Sequence, residues 1–326
     1  MPISELVAAA HVATQCSRLS TSSQRGFWPR FLYHATHVTN AVGIVRDGFL
    51  GSREAGIDFH DVANQGALAA YESSHKYARL YSRPKNPYHL RTEGIKPICD
   101  PYRLAHQASI PVMFLFDAEK ILTRAGTVFT AGNIQRGKNV ELSTDEHFST
   151  LDFNAIYHDD AVSAHDKEYI HDRRMAEVMI PEALPLENYL RWVVFRTPSD
   201  LLTFNYLLGK LGSTCGYPRG TETVNRSIFM HWGLYIRELN FIEDKLTIDF
   251  HLPRGRRPFN NEYKINVTQT CSDGSTLSYN NSYPLARPSI TIKGFSPDGA
   301  SVWKIVLEDV LAFEGRLPHE QSALFG

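Results

Sequence analysis

The stretch Arg173-Arg174-Met175-Ala176-Glu177-Val178-Met179-Ile180-Pro181 ends a charged passage that begins at His158 and turns apolar within a few residues. It reads as the entry of a core strand that carries one acid at its edge. Taking the strand back to Arg173, alternation puts Arg173, Met175 and Glu177 on one side and Arg174 and Ala176 on the other. A carboxylate in that position loses water and needs a partner or a ligand. The residues alone leave both accounts open: an ion pair beside a strand, or an acid presented to a substrate.

Upstream, Phe31-Leu32-Tyr33-His34-Ala35-Thr36 reads as a strand. It leads through His37-Val38-Thr39-Asn40 into a helix over about Ala41 to Arg46, with Thr39 as the expected N-cap and Gly48 as a left-handed stop. Tyr33-His34-x-Thr36 thus sets an imidazole and a hydroxyl beside a helix N-terminus, which suits a pyrophosphate or a ribose. The plainer account of His34 is a hydrogen-bonded structural residue. Residues 51 to 74 are polar and irregular, with turn signals at Gly56-Ile57-Asp58 and Asn64-Gln65-Gly66. Tyr77 to Tyr81 is strand-like and runs into Ser82-Arg83-Pro84-Lys85-Asn86-Pro87, whose prolines impose extended backbone. Tyr81 and Tyr88 flank that loop as flat surfaces on which a ring can stack.

Pro111 to Phe116 is continuously apolar and reads as a central strand. Thr127 to Thr130 is another, followed by a turn at Ala131-Gly132-Asn133. From Gln135 to about Tyr169 the chain is long, charged and poor in apolar residues, as substrate-recognising loops often are. Asn188 to Phe195 gives a last strand of this part. Thr197-Pro198-Ser199-Asp200 marks a boundary. Beyond it, a helix over Leu201 to Leu211 precedes one-sided strands at Lys245–Leu252, Lys264–Thr270, Ser289–Lys293 and Trp303–Leu307. Pro297-Asp298-Gly299 is expected to be the hairpin turn between the last two. Arg254-Gly255-Arg256-Arg257 forms a basic loop, solvated or placed to touch phosphates. The fold class is therefore α+β, divided into an N-terminal helical segment (1–29), a mixed domain (30–198) and a C-terminal β-rich module of unknown role (199–326).

Composition sets limits. The 326 residues, 43% apolar, are enough for one large domain or two ordinary ones. A formal net charge of −1 excludes the broad positive field of an architectural nucleic-acid binder, though not a local basic groove. Cys16, Cys99, Cys215 and Cys271 are far apart and form no Cys-x-x-Cys pair. Neither a zinc site nor a disulfide framework is expected, and the composition fits thiols in a reducing cytoplasm. The N-terminal Leu6 to Ala10 run is too short to span a bilayer and carries Glu5 ahead of it, so it reads as a short packed helix and not as a signal peptide or anchor. The Asn-x-Ser/Thr triplets at Asn225 and Asn266 carry no meaning for glycosylation without a secretory signal.

Taken in order, Tyr33-His34-x-Thr36, the Gly48 helix stop, Tyr81-x-x-Pro-x-Asn-Pro87, Gly132-Asn133 and Arg173-Arg174-x-x-Glu177 resemble the DarT-type ADP-ribosyltransferase toxins, which are similar to PARP-like enzymes and modify nucleic-acid bases using NAD. The resemblance covers roughly residues 30 to 195. It implies a split antiparallel ADP-ribosyltransferase-like β-core with flanking helices. It implies Glu177 as the catalytic acid and NAD as co-substrate, held by His34, Thr36, Tyr33, Asn40, Gly48, Tyr81 and Lys85. It also implies a neutralising antitoxin partner, with a chaperone-type partner beyond it, and a role in toxin–antitoxin defence against phage. Three positions depart from the family pattern. Lys85 stands where the proline loop carries arginine, and lysine is a poorer bidentate clamp on phosphate. Ala131 replaces the acid of an Asp-Gly-Asn turn. A further arginine has no counterpart near Ala70-Tyr71, leaving Arg53 and Arg79 as substitutes.

The chemistry suits these residue types. Cleavage of the nicotinamide–ribose bond builds positive charge on the sugar, which a fixed carboxylate stabilises. The same carboxylate can take a proton from the attacking base nitrogen. No metal is needed. A base edge must be exposed, so single-stranded DNA or RNA is the expected substrate, with Phe148, Phe153, Tyr157 or Tyr169 as stacking candidates. Two rival readings remain. The His158-Asp159, His165-Asp166 and His171-Asp172 pairs hint at a metal-dependent phosphohydrolase. The missing arginine permits a non-catalytic NAD- or nucleic-acid-binding module.

Overall fold

The computed structural model describes residues 2–20, 25–55, 75–98, 100, 103, 107–222, 228–253, 262–284 and 286–318. The turns at 56–58 and 64–66, Ala70-Tyr71, Cys99, Asn225 and the basic loop at 254–257 lie outside these residues. Among the described residues, no helix is long and apolar enough to cross a membrane.

The strands in chain order are β1 (Phe31–His37), β2 (Phe49–Gly51), β3 (Tyr77–Tyr81), β4 (Pro111–Asp117), β5 (Val128–Phe129), β6 (Glu177–Pro181), β7 (Ala183–Pro185), β8 (Leu190–Phe195) and β9 (Arg219–Thr221), followed by β10 to β16 of the C-terminal part. A seven-stranded sheet runs β5-β6-β3-β1-β4-β8-β9, antiparallel except where β9 joins β8 in parallel. β2 and β7 form a small pair of their own. The apolar run at Pro111 to Phe116 is central, as its continuous burial requires. One face of the sheet packs Leu32, Leu80, Phe114, Phe116, Val178, Ile180, Val193 and Phe195 into the main core. On the other, Tyr33, Met113, Leu115 and Val194 are covered by Ile228 and Phe229.

β1 pairs with β4 along its whole length, from Phe31↔Asp117 to His37↔Pro111. With β3 it shares a single register pair, Tyr33↔Tyr81. The sheet therefore forks beyond Tyr33 and Tyr81. β6 continues the register on the far side of β3, with Tyr81 opposite Glu177 and Arg79 opposite Met179.

Three expectations change. The helix after β1, α2 (Val38–Asp47), starts earlier than expected, and its N-cap is His37, whose Nδ1 accepts from the Thr39 N–H. Gly48 ends it at φ 77 as expected. The N-terminal helix, α1 (Glu5–Ser20), is long and buries Ala8, Val12 and Leu19. It shares the main core with Phe204 and Leu208 of a later helix, Pro198–Lys210. Together with β9, these contacts carry one packed unit across residues 30 and 198. Thr197-Pro198-Ser199-Asp200 is a helix start and not a linker: the Thr197 side chain accepts from the Asp200 N–H and Pro198 takes the first helical turn.

The C-terminal strands are β10 (Tyr235–Ile242), β11 (Lys245–His251), β12 (Glu262–Thr270), β13 (Thr276–Pro284), β14 (Ser289–Lys293), β15 (Val302–Leu307) and β16 (Val310–Gly315). They build a three-stranded sheet, β10-β11-β14, and a four-stranded one, β13-β12-β15-β16. Leu246, Ile248, Ile292, Ile265, Trp303 and Ile305 make a second core between them. Pro297-Asp298-Gly299 is consequently not a hairpin turn, because β14 and β15 belong to different sheets. The tight turn is at Glu308-Asp309, where both residues have positive φ, 52 and 64. Alternation along each strand was readable, but partner choice depends on which face each strand buries.

The two parts are stitched where residues 93–95 cross 231–234. Ile95 and Leu234 exchange N–H···O bonds of 2.8 Å, and Glu93 accepts from the N–H groups of Met230 and His231. A Cβ on Gly233 would lie 2.7 Å from the Gly94 Cα. Gly233→Ala is therefore expected to destabilise the chain by about 1–3 kcal/mol, the usual cost of overpacking rigid backbone. Urea unfolding measures it, and an unchanged midpoint would show that the crossing can relax.

Candidate functional site

Glu177 opens β6 and is fully buried. Its main chain is fixed from two sides: the Thr130 N–H donates to its carbonyl at 2.9 Å, and its own N–H donates to Thr130 Oγ1 at 3.2 Å. A buried carboxylate requires compensation, and donors meet this one on both oxygens. Arg79 Nη2 donates to Oε1 in a close ion pair, and the Ile134 N–H donates to Oε2 at 3.2 Å. Arg79 reaches it because positions 79 and 81 share a face of β3 and β6 lies in register alongside.

Burial alone would lower Arg79, yet the Glu177 carboxylate, with Tyr81 nearby, holds it above its ordinary value. Burial also raises the Tyr81 phenol; Arg79 opposes that shift and Glu177 adds to it. Among the described residues, Arg79 Nε is buried without a hydrogen-bond partner. His34 meets this pair through the backbone: its Nδ1 lies 3.1 Å from the Arg79 carbonyl. A carbonyl only accepts, so Nδ1 carries the proton and Nε2 is an acceptor. His89 sits edge-on to Tyr81 at 6.1 Å, with Nδ1 on the Pro84 carbonyl.

The turn that aims the Ile134 N–H is held by its own residues and by Asn139 and Asp172. Thr130 Oγ1 donates to the Gly132 carbonyl at 2.6 Å, and Asn133 Oδ1 accepts from the Gln135 N–H at 2.9 Å. Asn139 Nδ2 bridges the Asn133 carbonyl and the Asp172 carboxylate. Asp172 Oδ2 lies so close to Gly132 that an added Cβ would approach it to 2.3 Å and would push the Asp172 carboxylate aside. Asp172 thus brings a carboxylate to a turn whose own sequence, Ala131-Gly132-Asn133, has none. Its only signal was a His-Asp pair read for metal. Asn139 gave none.

The other expected residues divide. The Thr36 hydroxyl accepts from Asn40 Nδ2 at 3.0 Å, so these two sit together where α2 begins. Lys85 Nζ lies 3.4 Å from Asp159 Oδ2. Tyr33 is fully buried beneath the sheet with its hydroxyl on the Trp28 carbonyl, and offers no surface to a ligand. Gly48 lies at the opposite end of the ten-residue α2 from Asn40, roughly 12–15 Å along its axis. The helix explains both its conformation and its separation from Asn40.

Arg173 and Arg174 are not on a strand. They close the helix α3 (Lys167–Arg173), Arg174 donating its N–H to the Ile170 carbonyl. Arg173 lies over the Tyr169 ring at 5.0 Å and donates to Asn139 Oδ1, while Arg174 turns to His158 and Asp160. The partner of Glu177 is Arg79, one of the two substitutes considered, and neither neighbour in sequence.

The passage from Gln135 to Tyr169 folds into short helices. Phe148 and Tyr157 are buried, and Phe153 packs on His11 at 4.2 Å between ring centroids. These are core residues, and Tyr169 alone of the four stacking candidates is largely exposed, at 46%. The His-Asp pairs are occupied otherwise: Asp159 by Arg83 and Lys85, Asp166 by Ser163, Asp172 by Asn139. Among the described residues no group of three or more His, Cys, Asp or Glu side chains is placed to hold a metal.

A family model described as "ssDNA thymidine ADP-ribosyltransferase, DarT" matches residues 33–213, a little over half of the chain. No curated protein matches. Among solved structures, Thermus sp. 2.9 DarT in complex with NAD+ is similar at 17% identity, covering 60% of this chain and 96% of that one with a TM-score of 0.46. The same protein in complex with ADP-ribosylated ssDNA is similar at 16% identity over 60% and 94%, with a TM-score of 0.48.

Burial pushes the imidazoles of His34 and His89 down from 6.5 to about 4, against the pull of the carbonyls that each one meets. As pH falls, the unfolded chain takes up these protons first, so the stability they contribute is complete above 6.5 and lost between 6.5 and about 4. Asp200, raised by burial to about 6, acts with the opposite sign in an overlapping window. A comparison of wild type with His34→Asn cancels that contribution. The variant is expected to lose less stability on acidification, by up to roughly 1.4 kcal/mol per unit of removed shift; parallel pH profiles would refute the burial of a neutral His34.

Proposed function

Because the chain belongs to the DarT family of single-stranded-DNA thymidine ADP-ribosyltransferases, we propose that it transfers ADP-ribose from NAD to a thymine base in single-stranded DNA, with Glu177 as the catalytic acid. The observation that carries this reading is the buried Glu177–Arg79 pair beside the fork between β1 and β3. A buried charged pair adds little to stability, and this one is found where the pairing of β1 with β3 ends. In this reading the fork is the split of an ADP-ribosyltransferase-like core.

NAD supplies a sugar whose bond to nicotinamide breaks with the development of positive charge. The unpartnered Arg79 Nε and the acceptor Nε2 of His34 fit a polar, hydroxyl-bearing substrate of this kind. His34 accepts from a ribose hydroxyl, Thr36 and Asn40 line the same end of the cleft, Tyr81 offers its ring to nicotinamide, and Lys85 reaches phosphate. Tyr33 supports Tyr81 from the neighbouring strand without touching substrate. Arg79 covers Glu177, whose side chain is fully buried while that of Arg79 is 21% exposed. Substrate entry therefore moves Arg79 off the carboxylate and onto the dinucleotide. Glu177 then stabilises the cationic sugar and accepts the proton of thymine N3, the ring's only N–H, as N3 bonds to the anomeric carbon and nicotinamide leaves.

Such a lesion would poison the cell that makes it, which supports a place in a toxin–antitoxin system with a neutralising antitoxin protein, directed against phage. RNA is the competing polymer, and the metal-dependent reading loses support because its residues are paired elsewhere. Mass spectrometry of DNA and RNA oligonucleotides incubated with NAD is expected to show ADP-ribose on DNA thymidine. Glu177→Gln should reduce turnover by about 10²-fold or more, and Arg79→Lys, which keeps the charge but not the geometry, by a smaller factor. No adduct on either polymer would overturn the reading.

A further inference from the structure

The two oxygens of Glu177 are held by unlike means. Oε1 meets Arg79, a side chain that reaches it from the adjacent strand and is 21% exposed. Oε2 accepts from the Ile134 N–H at 3.2 Å, a main-chain donor that cannot leave unless its peptide group turns. The Tyr81 phenol also hydrogen-bonds the carboxylate. In the transferase reading Arg79 leaves Oε1 when substrate enters. The direction in which Oε1 then faces the sugar rests on the Ile134 N–H and on Tyr81.

The Ile134 N–H belongs to the same planar peptide group as the Asn133 carbonyl, and in a trans peptide the two point in opposite directions. That carbonyl accepts from Asn139 Nδ2 at 3.1 Å. One peptide group is therefore held at both ends, by Asn139 on its oxygen and by Glu177 on its hydrogen. A rotation that freed one end would free the other. Hydrogen bonds chained in this way polarise one another, which strengthens the one that reaches the acid. Within the turn, the Asn133 side chain and left-handed Gly137, at φ 67, shape residues Ile134–Arg136 but move with them. Thr130 anchors the Gly132 carbonyl on one side. Asn139, 7% exposed, anchors the other, and is itself set by α3: its Nδ2 also meets the Asp172 carboxylate at 3.3 and 3.2 Å, and its Oδ1 accepts from Arg173 Nη1 at 3.3 Å. These partners fix which way the Asn139 amide points, because carbonyl and carboxylate oxygens only accept and a guanidinium only donates.

We propose that Asn139, oriented by Asp172 and Arg173, is a positioning residue: by locking the 133–134 peptide it fixes the Ile134 N–H, and through it the Glu177 carboxylate, for the transfer step. The assignment rests on the transferase reading above, and the test separates the two. Transfer from NAD to a thymidine-containing single strand is measured for the full chain, alongside amide exchange of isoleucine-labelled protein by nitrogen-15 NMR. Asn139→Ala is expected to lower kcat by about 10- to 100-fold, the scale of a small misplacement of a reacting group, with KM for NAD unchanged. Asp172→Asn, which leaves Asn139 an acceptor, should cost a smaller factor. In a Glu177→Gln background Asn139→Ala should cost nothing further, since both act through one side chain. Exchange at Ile134 should quicken in Asn139→Ala while exchange at Ile180, within β6, stays as it was. Full additivity with Glu177→Gln, an unchanged kcat or unchanged exchange at Ile134 overturns the proposal, as does equal quickening at Ile180. Faster Ile134 exchange in a protein whose wild type transfers no ADP-ribose supports the lock and defeats the transferase reading.

Discussion

Everything at the site depends on donors reaching one fully buried carboxylate. They reach Glu177 because β3 and β6 are in register, because Arg79 lies two places from Tyr81, the cross-strand neighbour of Glu177, and because the 132–139 turn aims one N–H at the second oxygen. A slip of one residue between β3 and β6 would send Arg79 to the other face and leave the acid uncompensated. The site is thus a property of strand pairing before it is a property of any loop. The fork between β1 and β3 matters as well, since a fully paired β1 would take the Arg79 carbonyl that His34 meets.

The sequence was most readable where one residue type has few uses. A continuous apolar run must be a central strand, a glycine after an amphipathic helix must end it, and an acid before Val178-Met179-Ile180 must be answered by something. What answered it could not be read locally. Arg173 and Arg174 were nearer in sequence, but the pattern from Lys167 to Arg173 closes as a helix and points both guanidiniums elsewhere, whereas Arg79 arrives through a register 98 residues distant. Asn139, and the part that Asp172 plays beside it, could not be read for a similar reason: their work is to shape a turn that neither belongs to. Gly48 was read correctly for conformation, while a left-handed φ says nothing about which end of a helix faces a ligand.

The C-terminal strands show the other limit. Their alternation reveals one buried face each, and that much was plain in Leu246, Ile248 and Phe250. Sheet membership was not, since β14 and β15 are close in sequence yet face each other across the sandwich. The positive-φ pair at Glu308-Asp309 lacks the Asn-Gly signature that would have marked it.

The cover that Ile228 and Phe229 place over Tyr33, Met113, Leu115 and Val194 bears on how this protein can be cut. A fragment trimmed to the stretch shared with its relatives would end before residue 228 and expose an oily underside directly behind the β1 strand. Such a fragment would be sticky before it was inactive. Anyone seeking a minimal version must keep that short flap, or repaint the surface beneath it with polar side chains.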